Sequence, residues 1–148
     1  MAPSGVDKGS VAPEQLIVVD AAGAVLKGTG RASAETALHL ALVQTCGAGA
    51  VLHTHSQAGT LLSQHYAATK PGVAFLVLQD LEMLKGLAGV ATHATSISIP
   101  IMANDQDLAR LRGNAEPHLA AAPYGLLIAG HGLYAWGKDL PTARRHLE

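Results

Sequence analysis

Apolar residues fall in short blocks separated by glycine, proline and small polar residues, and their spacing predicts alternating strands and helices. Leu16-Ile17-Val18-Val19-Asp20 reads as a strand, Ala21-Ala22-Gly23 as a tight turn and Ala24-Val25-Leu26 as the returning strand of a hairpin. Ser33 is a good N-cap, with Glu35 in the first turn of a helix carried by Ala34, Ala37, Leu38, Ala41 and Leu42 and stopped at Gly47. Ala48-Gly49-Ala50-Val51-Leu52 is small and apolar, as a buried strand should be, and Ser56 is suited to cap a helix over Gln57 to His65. The run from Val73 to Leu78 predicts a strand, and Asp80 a cap for the short helix that follows it to Leu87.

Alternation in Ser96-Ile97-Ser98-Ile99-Pro100-Ile101 predicts a half-buried strand, with Pro100 favouring an edge or a strand end. A helix starting at Asn104 or Asp105 is expected to stop at Gly113, which leaves His118 in a following loop or helix without an evident partner. From Tyr124 to Gly137 the pattern is two apolar strands joined at Gly130-His131-Gly132, and Pro141 sits at an early position of a final helix of about two turns.

Composition narrows the class. The 148 residues are 49% hydrophobic and 14% charged, enough to bury a core and too apolar for a disordered chain. So little charge leaves a monomer short of polar surface, so burial against other subunits is expected. The net charge of −1 and the scattered Lys and Arg argue against nucleic acid or an anionic membrane as partner. No apolar run approaches the roughly 20 residues that span a bilayer, and the N-terminus lacks the pattern of a secretion signal, so the cytoplasm is the expected location. Cys46 is the one cysteine, which excludes an internal disulfide and the thiolate-rich zinc motifs; at a helix end it reads as a small buried residue rather than a nucleophile.

The candidate chemistry lies in the histidines. His53 and His55, two apart on a strand, point the same way about 6.6 Å apart along the backbone, within reach of a common ion. Alone, such a pair is more often solvated or buried than metal-binding. His131 raises the odds, because its flanking glycines let the backbone pass close to something bulky. Three imidazoles with an open position make a catalytic centre rather than a closed structural one. Glu35 reads more simply as a helix-dipole partner, Glu82 as a surface pair with Lys85 and His65 as a residue favoured at a helix C-terminus.

Taken together, these blocks resemble the class II aldolase/adducin family. The resemblance rests on Pro3-Ser4-Gly5-Val6-Asp7-Lys8-Gly9, Ser33-Ala34-Glu35, Leu52-His53-Thr54-His55-Ser56, Leu78-Gln79-Asp80-Leu81-Glu82, Ile99-Pro100-Ile101, Asn104-Asp105-Gln106-Asp107 and Gly130-His131-Gly132-Leu133-Tyr134-Ala135-Trp136-Gly137. The opening block and the one around Glu82 favour the family's dehydratase branch, which serves methionine salvage, over its sugar-phosphate aldolases.

The resemblance implies an α/β fold with a mixed, largely antiparallel central sheet and helices on both faces, in one domain over residues 1–148. It implies one Zn2+ per subunit on His53, His55 and His131, a phosphorylated ketose substrate and a homo-oligomer, commonly a cyclic tetramer with sites near subunit contacts. By the same resemblance Glu82 is the acid/base, Glu35 a fourth ligand or an alternative acid/base, and Ser4, Gly5 and Ser33 hold the phosphate with Lys8 as helper. The alternatives are an aldolase or epimerase of a small sugar phosphate and an inactive assembly module. Relatives begin with a further helix and strand and finish the last helix beyond Glu148, so the chain is expected to be an interior piece of that domain.

Overall fold

The computed structural model describes residues 1–68, 72–122 and 124–148, which form two compact units, Met1–Leu40 and Ala41–Glu148. In the first unit, strands β1 (Val18–Val19) and β2 (Val25–Lys27) make an antiparallel hairpin. Its turn is held by Asp20, whose Oδ1 accepts from the N–H groups of Ala22 and Ala24 at 2.9 Å each. Gly23 supplies the left-handed backbone that this turn requires, at φ +88°. β1 is shorter than its apolar run because Ile17 is engaged elsewhere. Its N–H donates to the Met1 carbonyl at 2.9 Å, and its carbonyl accepts from the Met1 ammonium at 2.8 Å.

Helix α1 (Thr36–Cys46) starts one residue after Glu35, so Glu35 precedes the first turn rather than lying in it. Ser33 serves the entry as expected, accepting the Glu35 N–H on its hydroxyl at 3.3 Å and the Thr36 N–H on its carbonyl at 3.0 Å.

The second unit is built on a five-stranded sheet. Strands β3 (Ala50–Thr54), β4 (Ala74–Gln79), β5 (Ser96–Met102), β6 (Gly125–Ile128) and β7 (Gly132–Gly137) lie in the order β3-β7-β6-β5-β4. Only the β5–β6 contact is parallel, so the sheet is mixed and largely antiparallel. Every residue of β6 is buried, and because successive side chains face opposite ways, both faces of the sheet are covered at its centre. On one face Ala74, Ile99, Ile101 and Leu127 form an apolar cluster against which Leu76, Leu78 and Leu133 pack.

Helices α2 (Gln57–Ala68), α3 (Leu108–Leu119) and α4 (Leu140–Leu147) complete the unit. Ser56 caps α2, its hydroxyl accepting the Gly59 N–H at 3.1 Å.

Three local expectations are corrected. α3 does not stop at Gly113 but runs on through Pro117 to Leu119, with His118 in its last turn. Leu111, Ala115 and Leu119 recur every four residues and are all buried. Burying one leucine contributes about 1.5–3 kcal/mol, against about 1 kcal/mol lost by a helical glycine. Asp80 does not cap the 3-10 helix at Glu82–Gly86, which starts from Leu81 without a side-chain cap. Asp80 instead adopts a left-handed conformation, φ 56°, and its N–H extends the sheet by donating to the Thr95 carbonyl at 3.1 Å. Pro100 lies in an inner strand rather than an edge one, yet β6 pairs only with Ile101 and Met102, so the missing N–H falls where that flank is free.

Candidate metal centre

β3 and β7 pair with Thr54 opposite Leu133 and His53 opposite Tyr134, while β6 turns into β7 between Ile128 and Gly132. The end of β3 and the β6–β7 turn are therefore neighbours, and they bring together residues about 76 positions apart in the chain. His53 comes from β3, His55 from the residue following it and His131 from the turn. One ring nitrogen of each of these three lies within 4.8 Å of the others. Ring centroids are 4.6 Å apart for His53 and His55, 5.0 Å for His53 and His131, and 4.8 Å for His55 and His131.

The surroundings prepare the rings for an ion. His53 Nδ1 is 3.0 Å from the Leu133 carbonyl oxygen, which can only accept, so Nδ1 carries the proton and Nε2 presents a lone pair. That Nε2 is 2.8 Å from Nε2 of His55. Two nitrogens so close suit one shared proton or one shared cation, and the imidazole of His131 beside them offers such a cation a third donor. Tyr134, almost wholly buried, stacks on His53 with centroids 4.0 Å apart, closing one side of that ring. His55 is exposed, and this leaves the centre an accessible side.

Both glycines around His131 have a reason. Gly130 sits at φ +64°, a left-handed turn position with open space around it. At Gly132 a side chain would run into the Thr54 carbonyl and stand 3.0 Å from carbons of both His53 and His55. The bulky objects that the backbone approaches here are the two other imidazoles.

Residues that the sequence pattern did not single out hold the turn. Ser63 on α2 is fully buried; its hydroxyl donates to the Thr60 carbonyl at 2.9 Å and accepts the Gly130 N–H at 3.2 Å. The Thr60 hydroxyl donates to the His131 carbonyl at 3.1 Å. Two small polar residues three apart on one helix face could have signalled a turn docked there, yet this looks the same as any helix surface. The Leu133 carbonyl, as main chain, leaves no mark in the sequence.

The other expected site residues belong to the 3-10 helix after β4 and to the first unit. Glu82 is exposed in the 3-10 helix, paired with Lys85 as its surface reading expects, and its Oε2 is 3.4 Å from Nδ1 of His93. Ser4, Gly5, Lys8, Ser33 and Glu35 all belong to the first unit. There the Ser4 N–H donates to the Arg31 carbonyl at 2.8 Å, Gly5 takes φ +80°, and the Lys8 ammonium donates to the Pro3 carbonyl at 2.7 Å. The Cys46 thiol is 3.8 Å from the Leu119 carbonyl, and burial pushes its pKa up, which suits an unreactive side chain. No helix among the described residues is long and apolar enough to cross a membrane.

The sequence model of the class II aldolase and adducin N-terminal domain matches residues 1–148. Among curated proteins, the chain is 45% identical to a methylthioribulose-1-phosphate dehydratase of Methylococcus capsulatus, over 98% of this chain and 69% of that protein. It is also 45% identical to the protein of the same name from Pseudomonas aeruginosa, over 98% of this chain and 70% of that one. Among solved structures, an L-fuculose 1-phosphate aldolase superposes with a TM-score of 0.74 at 21% identity, over 99% of this chain and 62% of that one. An L-fuculose-1-phosphate aldolase from Thermus thermophilus gives 0.67 at 24%, over 99% and 66%. At such identities the two structures speak for the fold alone.

Proposed function

Because the chain belongs to the class II aldolase and adducin family, we propose that it carries out the reaction for which its 45%-identical relatives are named, the dehydration of 5-methylthioribulose 1-phosphate in methionine salvage. The observation that carries this reading is the convergence of His53, His55 and His131, whose ring nitrogens lie within 4.8 Å of one another beside an accessible side. The proposed occupant is one Zn2+ per chain, although three imidazoles also suit Fe, Co, Ni or Mn. The ion, when bound, supplies Lewis acidity to the ketone oxygen of the substrate and its neighbouring hydroxyl.

The protein's own groups do the proton work. Glu82, as general base, takes the proton from the carbon that bears that hydroxyl. It then returns the proton to the hydroxyl on the next carbon, which leaves as water. The resulting enol tautomerises to the 2,3-diketo-5-methylthiopentyl 1-phosphate, so one substrate yields one diketone and one water. Ser4, Gly5 and Ser33, with Lys8 beside them, are assigned to the phosphate, and Glu35 to a fourth ligand position or a second acid/base. A cytoplasmic homotetramer completes the reading.

The test is incubation of the purified protein with 5-methylthioribulose 1-phosphate, with elemental analysis alongside. About one ion per chain, lost in His53→Ala, and a product absorbing in the near ultraviolet are expected. Release of dihydroxyacetone phosphate from a ketose phosphate would move the reading to an aldolase. A folded, metal-free protein without turnover would leave an assembly module.

A further inference from the structure

The connection from β4 to β5, residues 80–95, carries Glu82 on the 3-10 helix Glu82–Gly86. The contacts of the Glu82 carboxylate, with Lys85 and with His93, lie inside that connection and move with it. A group outside the connection must therefore set where the carboxylate stands.

Two side chains do so at one residue, Ala88. His146 on α4 has both ring nitrogens committed: Nδ1 is 2.7 Å from the Trp136 carbonyl oxygen, and Nε2 is 3.2 Å from the Ala88 backbone nitrogen. A carbonyl oxygen can only accept and a backbone N–H can only donate, so Nδ1 carries the proton and Nε2 presents its lone pair. Strand β7 thus orients the ring through Trp136, and the ring holds the Ala88 N–H. The Ala88 carbonyl accepts from the hydroxyl of Tyr124, just ahead of β6, at 2.8 Å. The rings of Tyr124 and His146 meet edge to face, with centroids 5.2 Å apart at 81°. The main chain of Ala88 is gripped at its donor and at its acceptor by two side chains that brace each other.

Short main-chain bonds carry this grip back to Glu82. The Leu87 N–H donates to the Leu84 carbonyl and the Leu84 N–H to the Leu81 carbonyl, each at 3.0 Å. Arg145, next to His146, lays its stem along Gly86, where an added Cβ would stand 3.6 Å from its Cγ. Leu84 is buried, which holds the 3-10 helix down. Apolar burial has no direction, however, whereas hydrogen bonds do, so the two bonds at Ala88 fix how the helix is turned.

We propose that His146 and Tyr124 are positioning residues for Glu82: by holding the N–H and the carbonyl of Ala88 they orient the 3-10 helix that presents the carboxylate. The proposal rests on the reading that Glu82 is the acid/base of the dehydration.

Kinetics of His146→Leu and Tyr124→Phe test this. Each removes one hydrogen bond at Ala88, and Tyr124→Phe keeps the aromatic ring. kcat is expected to fall about tenfold or more in each, as it does when a catalytic group is misplaced by about 1 Å, with KM and metal content as in wild type. His146→Gln, whose amide offers one donor and one acceptor, should recover part of the loss. Wild-type kcat in His146→Leu, a loss of metal alongside the loss of turnover, or a His146→Gln no better than His146→Leu overturns the proposal.

Hydrogen exchange needs no turnover. The amides of Leu84, Leu87 and Ala88 are expected to exchange about tenfold faster in His146→Leu and Tyr124→Phe than in wild type, while those of β6 and β7 stay protected. Unchanged exchange at the three amides, or equal loosening of β6 and β7, overturns the grip. Turnover retained in Glu82→Gln would sink the acid/base reading instead, and the exchange would still decide whether His146 and Tyr124 hold Ala88.

Discussion

The Nδ1–H of His53 donates to the Leu133 carbonyl at 3.0 Å across the pairing of β3 and β7. One backbone oxygen thereby selects the tautomer of His53 and aims its Nε2 at His55 and His131. The expected outcome is direct: nitrogen NMR of histidine-labelled protein shows His53 protonated at Nδ1, with and without ion. A proton on Nε2 would mean that Leu133 does not orient the ring.

The two glycines of the β6–β7 turn should respond differently to alanine. Gly130→Ala puts a side chain on a left-handed residue with open space around it and should cost about 1 kcal/mol of stability with metal content unchanged. Gly132→Ala forces a methyl against the Thr54 carbonyl and two imidazole carbons, so the variant should lose most of its metal. Thermal melts and elemental analysis of the pair check this. Equal metal in both variants would sink the account of Gly132.

Ser63→Ala removes the fully buried hydroxyl that accepts the Gly130 N–H. A loss of about 0.5–1.5 kcal/mol is expected. Because the same turn carries His131, metal affinity should fall about tenfold. Ser63→Thr keeps the hydroxyl and should restore affinity in a competition titration with a chelator, whereas Ser63→Val should not.

Acid sensitivity should show at the start of α4. Asp139 caps that helix, accepting from the Thr142 hydroxyl at 2.6 Å and the Thr142 N–H at 2.8 Å, and these bonds hold its carboxyl below the usual carboxylate range. A depressed carboxyl contributes stability that is present above its unfolded pKa and is lost as pH falls through its lower folded value. Asp139→Ala should therefore lower the melting temperature at pH 7, and the gap to wild type should close as the pH is taken from about 4 downward. A gap that persists unchanged at pH 2 would show that the charge is not what matters.

Much was legible in the sequence for a stated reason. A strand ending in two alternate histidines and a turn of Gly-His-Gly each carry their chemistry within a few residues, so the three candidate ligands that the fold brings together were readable before any fold was known. Periodicity also located the strands and helices of the second unit. It failed where a local signal competed with a distant one: Gly113 reads as a stop, and only the burial of Leu111, Ala115 and Leu119 carries α3 through it. Asp80 reads as a cap, and the Thr95 carbonyl draws it into the sheet instead.

By itself the sequence determined which side chains could bind an ion and which family they belong to, because those depend on residue type and short spacing. The tertiary structure decided what holds those side chains, and from which direction. The Leu133 carbonyl, the Ser63 hydroxyl and the room left at Gly132 exist only once strands 80 residues apart in the chain have paired. It decided also where the chain leaves β4 on its way to Glu82: at Gln79, five residues on from Ala74 in the row of Thr54. That separation is fixed by strand direction and register, which depend on partners far along the chain and have no signature within a short stretch of it.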